Sequence, residues 1–352
     1  MAGGAGERFW PVSRGVRPKH LWDITGTGTC LLEQSFRRIA DVVPEENILI
    51  VTNREQIEGI RSVCPFIRRE RLIAEPACRD TLAAVGLGAL WAERLGGDET
   101  VSVAVFPSDH VIPDTENFVQ TAKEAFFVAE SGDFLVTIGI RPTRPSTAFG
   151  YIQAGGAFSC GNEFGFDVEK FHEKPAFETA LRYLSQGNFY WNAGMFFWKS
   201  SSIKAAIRKN APQVAETFRL IESRLKSNAD LERTLAEFYP LIEKKSVDFA
   251  IMEKADNVKV VPAKFAWDDV GTWAAAERHL PRGDGKNAFR GGSVFAEKAE
   301  GNVVFDVSGR TTALFGVRDL IVVHTADATL VCAKECAENL KSLVKKLPPN
   351  LR

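Results

Sequence analysis

Short apolar runs alternate with helix-like segments between residues 48 and 140, and this alternation constrains the fold more than any other feature of the sequence. Four runs have the β-branched and aromatic composition of buried strands: Ile48–Thr52, Leu72–Ala74, Val101–Phe106 and Phe134–Ile140. Three segments between them have helical patterns: Arg54–Val63, Thr81–Leu95 and Glu116–Glu130. Continuous apolar strands separated by amphipathic helices indicate an α/β fold with a sheet covered on both faces. We predict a mixed, mainly parallel central sheet whose loops meet at one ligand-binding edge.

The pattern changes after Pro142, where Gly-rich and aromatic segments such as Asn188–Trp198 appear between helices. This region is expected to form a substrate lobe. Pro281–Gly285 is a cluster of breaker residues, and short strands at turn spacing follow it, up to a final helix at Glu335–Leu347. We therefore predict two domains, residues 1–280 and a small C-terminal β-rich domain at residues 285–352 that ends in a helix. No repeat of solenoid length is visible.

Charge and hydrophobicity exclude several classes of protein. Lys and Arg together number 44 against 45 Asp and Glu, which gives a formal net charge of -1. The basic excess of a general nucleic-acid or anionic-membrane binder is therefore absent. No apolar run approaches the roughly 18 residues of a membrane span, and the first residues lack the features of a secretory signal. The 6 cysteines are scattered without a C-x-x-C pair. We expect a cytoplasmic protein with reduced thiols and no nucleic-acid or membrane partner.

The chain opens with three closely spaced glycines, Gly3, Gly4 and Gly6, which are followed by Arg8 and Lys19. Glycines let the backbone turn several N–H groups toward one anion, and the two cations add positive charge. The segment therefore suits a triphosphate. It matches neither G-x-G-x-x-G nor a Walker loop. A frayed, glycine-rich N-terminus is the alternative interpretation.

Acidic residues stand at two points that are distant in sequence. Asp109 follows the predicted strand Val101–Phe106, and a carboxylate at the end of a buried parallel strand faces the ligand crevice. Asp268 and Asp269 lie in the aromatic segment Trp267–Trp273. Carboxylates from both points converging on one ion would suit Mg²⁺, which prefers one or two carboxylates plus phosphate oxygens. The alternatives are a helix cap at Asp109 and a simple turn at Asp268–Asp269.

Two further polar sites lie between the acidic ones. Glu173 and Lys174 precede Pro175, and Asn192 stands beside small residues before an aromatic strand. A carboxylate, an amide and an ammonium together meet the needs of a sugar phosphate, although Glu173 and Lys174 alone are typical of a solvated pair. The motifs G-x-S-x-G and H-E-x-x-H are absent from the sequence.

In this order, the motifs resemble those of the sugar-1-phosphate nucleotidylyltransferases, and most closely those of the mannose-1-phosphate guanylyltransferases. The segments that carry the resemblance are Ala2–Arg14 with Pro18–Lys19, Glu75–Pro76 with Arg79, Phe106–His110, Thr147–Ile152, Phe171–Pro175, Trp191–Trp198, Ser246–Lys254, Trp267–Trp273 and Gly316–Val331. They span nearly the whole chain. The resemblance implies a Rossmann-like nucleotidyltransferase domain followed by the small β-rich domain. It also implies the reaction of GTP with mannose 1-phosphate to give GDP-mannose and pyrophosphate.

The resemblance assigns a role to each candidate residue. It places Gly3, Gly4, Gly6, Arg8, Lys19, Glu75, Arg79 and Asp109 at the nucleotide, with Arg8 and Lys19 on its phosphates and Glu75 and Arg79 on the base side. It places Gly150, Glu173, Lys174, Asn192 and Asp269 at the sugar phosphate. Mg²⁺ would bind to Asp109 and Asp269, and the catalytic residues would be Arg8, Lys19 and Asp109.

The resemblance also raises expectations about the ends of the chain. Family members usually carry a strand before the glycine loop, whereas Met1 stands directly before Ala2 here. We expect either an earlier start or an absent central strand. No cupin-like isomerase domain follows, so the transferase activity alone is expected, and a homodimer is a family-level expectation. The alternatives are another sugar 1-phosphate or NTP, a catalytically silent regulatory subunit, and a Rossmann-type dehydrogenase.

Overall fold

The computed structural model describes residues 1–97, 100–161, 163–227 and 230–352. The helices are α1 (Leu31–Ala40), α2 (Ile57–Val63), α3 (Asp80–Gly96), α4 (Thr115–Glu130), α5 (Phe177–Gln186), α6 (Ser200–Asn210), α7 (Pro212–Lys226), α8 (Leu231–Phe238), α9 (Trp273–Ala276) and α10 (Leu340–Val344). The strands are β1 (Ile50–Asn53), β2 (Leu72–Glu75), β3 (Ser102–Val105), β4 (Leu135–Ile140), β5 (Tyr151–Cys160), β6 (Glu163–His172), β7 (Phe189–Lys199), β8 (Val258–Pro262), β9 (Ala288–Arg290), β10 (Ser293–Glu297), β11 (Val303–Asp306), β12 (Thr311–Phe315), β13 (Leu320–His324) and β14 (Thr329–Ala333). The elements predicted between residues 48 and 140 are confirmed.

The central sheet is mixed, which confirms the α/β class. Its strand order is β3-β7-β4-β8-β6-β5, and β1 pairs with β2 in a separate parallel sheet. The expectation of mainly parallel pairing within the sheet needs correction. Among its described pairs, β4–β8 is parallel and the others are antiparallel. The cause lies in β6 and β7, which come from the aromatic region after Pro142. Strand β7 lies between β3 and β4, and β6 lies between β8 and β5, and each runs antiparallel to both of its neighbours.

Aromatic side chains fill the core on both faces of this sheet. Phe196 and Trp198 stack in parallel, with ring centroids 5.5 Å apart, in the core beside α3, α6 and α7. Phe197 alternates with them along β7 and packs edge-on against Phe126 of α4 on the opposite face. This alternation is the period of two expected of a strand buried on both sides. Nowhere in the described ranges is a helix both long and apolar enough to cross a membrane.

The C-terminal region is β-rich, as predicted. Strands β9, β11 and β13 pair in parallel, β14 joins β13 antiparallel, and β10 pairs with β12. The chain thus winds in stacked turns although no repeat is visible in the sequence. The final helix is shorter than predicted, because Lys334–Asn339 is a 3₁₀ segment and α10 covers only Leu340–Val344. The buried residues Ala337 and Leu340 are three positions apart, a spacing that a 3₁₀ turn satisfies.

This second region supports the N-terminal glycine segment. Trp10 Nε1 donates a hydrogen bond to the carbonyl oxygen of Leu351 at 2.7 Å, and Lys341 pairs with Glu7 at 2.7 Å. Trp273 packs between Phe9 and Phe305, with both pairs of ring centroids 4.8 Å apart. The turn at residues 7–10, which follows the glycines, is therefore stabilised by contacts with residues more than 260 positions away in sequence.

Candidate active site

A cavity of about 500 Å³ lies at the ends of the strands of the central sheet. Seven of the predicted site residues line it: Gly3, Gly4, Glu75, Gly150, Glu173, Asn192 and Asp269. Six others, namely Gly6, Arg8, Lys19, Arg79, Asp109 and Lys174, lie outside its lining. We name two parts of the lining after the roles predicted from the sequence: the glycines with Asp269 are the phosphate end, and Gly150, Glu173 and Asn192 are the sugar end.

Lys19 joins the acidic segments at the phosphate end. Its buried Nζ lies 2.8 Å from Asp109 Oδ2 and donates hydrogen bonds to the carbonyl oxygens of Asp269 at 2.8 Å and Val270 at 3.0 Å. Burial alone would raise the pKa of the Asp109 carboxyl, but the Lys19 ammonium together with the neighbouring His110 and His20 holds that pKa well below its usual range. The structure thus brings together two acidic segments that are far apart in sequence.

Backbone pairing explains how these segments meet. The amide and carbonyl groups of Val111 and Asp268 exchange hydrogen bonds of 2.8 and 3.0 Å in an isolated antiparallel bridge. The bridge lies just past Asp109 in one segment and just before Asp269 in the other, so both carboxylates reach the same place. Val270 adopts φ +44°, an uncommon conformation for a β-branched residue. Its carbonyl group is one of the two that Lys19 holds.

The adjacent residues Asp268 and Asp269 differ in their surroundings. The Asp268 carboxylate accepts hydrogen bonds from Arg278 Nε and Nη2 at 2.6 and 2.7 Å and lies 2.8 Å from His279 Nε2. These partners overcome the effect of burial and lower its pKa. The side chain of Asp269 instead faces the cavity, and burial raises its pKa to about 6 despite the nearby Lys19. Asp268 therefore holds the turn, and Asp269 is the one available to a ligand.

The glycine segment is ordered, so the interpretation as a frayed terminus is wrong. The amide of Ala2 donates to the carbonyl oxygen of Val51 at 2.8 Å, and Asn53 Nδ2 donates to that of Gly3 at 2.6 Å. Gly6 has φ +61°, and a Cβ there would lie 2.5 Å from Ser13 Oγ and 2.8 Å from the Cβ of Lys19. A glycine is required at this position because the loop passes directly over Lys19.

Arg8 lies at the rim of the phosphate end. Its side chain is 45% exposed, and Nη1 lies 3.7 Å from Glu338 Oε2 of the C-terminal region. A Cβ built on Gly271 would lie 3.6 Å from the same nitrogen and 2.9 Å from Asp269 Oδ2. Arg8 is therefore near the Asp269 turn, with its guanidinium accessible to an incoming anion.

The sugar end brings Gly150, Glu173 and Asn192 together. A Cβ on Gly150 would lie 2.7 Å from Glu173 Oε2 and 3.4 Å from the Cβ of Asn192, so a larger residue would displace the carboxylate. Lys174 is exposed and pairs with Glu173 at 2.6 Å. The pair is solvated only on the Lys174 side, because the Glu173 side chain is 11% exposed and lines the cavity.

Asn192 is fixed by a hydrogen-bond network. Its Oδ1 accepts from the amide of Gly194 at 3.0 Å and from Thr137 Oγ1 at 3.3 Å, and its Nδ2 donates to Asp248 Oδ1 at 2.8 Å. Burial, with the nearby Glu173 carboxylate, raises the pKa of Asp248 to about 6. Asp248 begins the π-helix Asp248–Met252, a rare element that is frequent at functional sites.

The predicted base side lies at the end of β2. The phenol of buried Tyr239 donates to Glu75 Oε1 at 2.6 Å, and Arg79 donates to the carbonyl oxygen of Pro240. Burial raises the pKa of Glu75, with the Tyr239 hydrogen bond acting against it. Residues 239–240 therefore hold the two side chains that the resemblance assigns to the side of the nucleobase.

Sequence reasoning missed Asp248 and Tyr239 as individual site residues. Asp248 lies within Ser246–Lys254, a segment that contributed to the resemblance, but no motif singled out its carboxylate. Tyr239 carries no local signal, because its contact with Glu75 joins positions 164 residues apart. Only the folded arrangement shows either contact.

Comparison with known proteins identifies the family. The protein family described as "Nucleotidyl transferase" matches residues 1–279 of this chain. A second family, described as "MannoseP isomerase/GMP-like beta-helix domain", matches residues 299–347. The chain belongs to the nucleotidyl transferase family. The resemblance to sugar-1-phosphate nucleotidylyltransferases is thereby confirmed, and members of this family act on an NTP and a sugar 1-phosphate.

Relatives match along nearly the whole chain. The mannose-1-phosphate guanylyltransferase of Escherichia coli K12 is 33% identical over 355 residues, which cover 99% of this chain and 72% of the relative. The corresponding enzyme of Salmonella typhimurium LT2 is 32% identical with the same coverage. A crystal structure described as a mannose-1-phosphate geranyltransferase from Thermus thermophilus is 36% identical, with a TM-score of 0.85 over 98% of this chain and 97% of that one.

Proposed function

We propose that this member of the family transfers the guanylyl group of GTP to mannose 1-phosphate, giving GDP-mannose and pyrophosphate. The observation that carries the proposal is the convergence of Lys19, Asp109 and Asp269 beside the glycine loop, at one end of a cavity whose other end presents Glu173 and Asn192. Relatives that match 99% of the chain are mannose-1-phosphate guanylyltransferases, which favours this substrate pair over another sugar phosphate or NTP.

In the proposed reaction, a phosphate oxygen of mannose 1-phosphate attacks the α-phosphorus of GTP in line, and pyrophosphate leaves. The attacking oxygen is already an anion, so no general base is needed, and no covalent enzyme intermediate is expected. The main obstacle is the repulsion between two polyanions. Arg8 at the rim, Lys19 below the loop and Lys174 at the opposite mouth offset that repulsion, while the cavity fixes the two reactants in position.

The donor set at the phosphate end is compatible with Mg²⁺. Asp109 and Asp269 offer hard carboxylate oxygens from two segments that Lys19 holds side by side, and Mg²⁺ favours one or two carboxylates together with phosphate oxygens. Bound there, the ion would neutralise charge on the phosphates of the nucleotide. Asp109 and Asp269 would hold it, with Asp268 and Lys19 keeping the turn in place.

Pyrophosphate release tests the proposal. The chain is incubated with mannose 1-phosphate or glucose 1-phosphate and each of the four NTPs, with and without Mg²⁺. GTP with mannose 1-phosphate and Mg²⁺ should give the highest kcat/KM. A higher value with a different pair would replace the substrate assignment, and tight GDP-mannose binding without turnover would identify a silent subunit. A cytoplasmic location and a homodimer remain predictions.

A further inference from the structure

Two buried cysteines touch in the core that α1 and α2 form with the β1–β2 sheet. Cys30 Sγ lies 3.7 Å from Cys64 Sγ, and the two residues are 5% and 0% exposed. The sulfur atoms of a disulfide are about 2.05 Å apart, so only a short approach separates the two thiols from a covalent bond. Neither cysteine lines the active-site cavity.

The two cysteines stand at the ends of the helices that meet here. Cys30 is the N-terminal cap of α1, and its sulfur accepts a hydrogen bond from the amide of Glu33 at 3.4 Å. Cys64 directly follows α2, and its amide donates to the carbonyl oxygen of Ile60 at 2.8 Å. Helix caps are usually Ser, Thr, Asp or Asn, because oxygen accepts a hydrogen bond more strongly than sulfur. Cys30 is a weaker cap than these residues, but its sulfur can be oxidised.

The surroundings make Cys30 the more acidic thiol of the pair. Because the Glu33 amide already donates to Cys30 Sγ, the thiol of Cys64 is the donor between the two sulfurs. This hydrogen bond, together with that from Glu33, lowers the pKa of Cys30, although burial acts against them. The same contact and burial raise the pKa of Cys64. A thiolate is the form that attacks an oxidant, so Cys30 is the nucleophile of the pair.

The burial of the pair limits which oxidant can reach it. Cys30 comes shortly after the exposed segment 26–28, whereas Cys64 is fully enclosed. A bulky disulfide such as oxidised glutathione does not fit between these side chains and solvent. A small hydroperoxide is therefore the class of oxidant that suits the site.

A metal ion is the other ligand that two thiols could hold. Glu33 could be a third ligand, since its carboxylate lies within 4.8 Å of both sulfurs. That carboxylate, however, accepts hydrogen bonds from Arg37 Nε and Nη2 at 2.9 and 2.7 Å. Structural zinc sites have four protein ligands, and the described residues supply three here, one of them already paired with a cation. The arrangement favours a bond between the two sulfurs.

We propose that Cys30 and Cys64 form a reversible disulfide when a small hydroperoxide oxidises them, and that this bond clamps α1 to α2. The Cys30 thiolate attacks the terminal peroxide oxygen, so that an S–O bond forms, the O–O bond breaks, and the departing oxygen takes the proton that Cys30 released. The Cys64 thiolate then attacks the sulfur of this sulfenic acid. The S–S bond forms, the S–O bond breaks, and hydroxide leaves as water with the Cys64 proton. The two sulfurs lose two electrons in total, which reduce the peroxide, and a dithiol reverses the bond.

The clamp acts on the segment that carries Lys19. The turn Lys19–Leu21 contacts both α1 and α2, and buried Leu21 belongs to the same core as the two cysteines. The disulfide joins positions 34 residues apart, so it restricts the unfolded chain and stabilises this core. The amide of Leu21 donates to the carbonyl oxygen of Pro18 at 2.9 Å and reports on opening of the turn.

Peptide mapping of the full chain tests the proposal. The protein is treated with hydrogen peroxide, denatured, alkylated and digested with trypsin without reduction. The expected product joins the peptides His20–Arg37 and Ser62–Arg68 with the loss of two hydrogen atoms, and dithiothreitol should separate them. The oxidised chain should have a Tm ~5 °C higher than the reduced chain, and the Leu21 amide should exchange ~10-fold more slowly. Amides of β13, which lies in the C-terminal region, should be unchanged.

Two serine variants assign the steps, and exposed cysteines are the internal control. Cys30→Ser keeps a favoured helix cap and should leave Cys64 as a free thiol after peroxide treatment. Cys64→Ser should leave a sulfenic acid at Cys30, which dimedone traps. Oxidation of the exposed Cys78 and Cys336 while Cys30 and Cys64 are both still alkylated would overturn the site. A lower Tm, or unchanged exchange at Leu21, in the cross-linked chain would overturn the clamp.

Discussion

The two ends of the active-site cavity are built in different ways. At the phosphate end, Lys19 bonds to main-chain carbonyl groups of Asp269 and Val270, so the acidic turn is fixed through its backbone. At the sugar end, Asn192 is held by side-chain contacts with Asp248 and Thr137, and Glu173 pairs with an exposed lysine. Substitutions of side chains at the sugar end should therefore alter substrate binding more gradually than those at the phosphate end.

Two aspartates of the site, Asp109 and Asp248, have pKa values that are shifted in opposite directions. Asp109 and Asp248 both experience burial, which raises the pKa of a carboxyl group. Asp109 has the Lys19 ammonium 2.8 Å away, and its pKa falls below the usual range. Asp248 has the Glu173 carboxylate as its neighbour, and its pKa rises to about 6. Burial dominates at Asp248 and also at Asp269, whose pKa rises to about 6 at the phosphate end despite the nearby Lys19, so the pKa follows the surroundings of each carboxyl group rather than the end of the cavity.

The largest expected effect concerns the carboxylates at the phosphate end. Asp109→Asn or Asp269→Asn should lower kcat by ~100-fold or more, the scale of losing one strong electrostatic element. Steady-state pyrophosphate release at saturating GTP and mannose 1-phosphate measures this effect.

Asp268→Asn supplies the matched control for Asp269→Asn, since the two side chains are adjacent in sequence. Loss of the Arg278 pairing should lower Tm, while activity at low temperature should stay closer to that of the unaltered chain. Near-normal kcat in both Asp109→Asn and Asp269→Asn would contradict the metal assignment, and a larger kcat loss in Asp268→Asn would reverse the assigned roles of the pair.

At the sugar end, the pH dependence of the free energy of unfolding tests the raised pKa of Asp248. The pKa of Asp248 is about 6 in the folded protein against 3.8 for an ordinary aspartate, so the folded state binds this proton more tightly than the unfolded state. This contribution is fully present below pH 4 and is lost as pH rises through 6. Asp248→Asn cannot ionise, so its free energy of unfolding relative to the unaltered chain should rise by about 2 kcal/mol between pH 4 and pH 7.

Urea unfolding of both proteins at several pH values gives this difference directly. Comparing the two proteins cancels the titration of other groups. A difference in free energy of unfolding that stays constant between pH 4 and pH 7 would show that Asp248 titrates normally.

The smallest expected effect concerns Asn192. Asn192→Ala removes an amide whose position is fixed by three partners, and it should raise KM for mannose 1-phosphate ~10-fold while KM for GTP changes less than twofold. Initial rates with each substrate varied in turn measure both constants. Thr137→Val is the control, because it removes one contact to the Asn192 oxygen and leaves the amide in place. An equal rise in both KM values for Asn192→Ala would contradict the division of the cavity into two ends.

Much of the fold was predictable because its elements depend on local patterns. The apolar strands and amphipathic helices between residues 48 and 140 are encoded within short windows of sequence, and the structure confirms them. The mainly antiparallel pairing within the central sheet was not predictable in the same way. Strand β7 looks like a hairpin strand of a separate lobe, and nothing local shows that it enters the sheet between β3 and β4.

By itself, the sequence determined the order of the elements, the family and the residue types available for chemistry, since these depend on composition and spacing along the chain. Tertiary structure decided which carboxylate of Asp268–Asp269 faces the cavity and that Asp248 joins Asn192. The physical reason is the same in each case: the acidity and availability of a group are set by neighbours within a few ångströms, and most of those neighbours are distant in sequence.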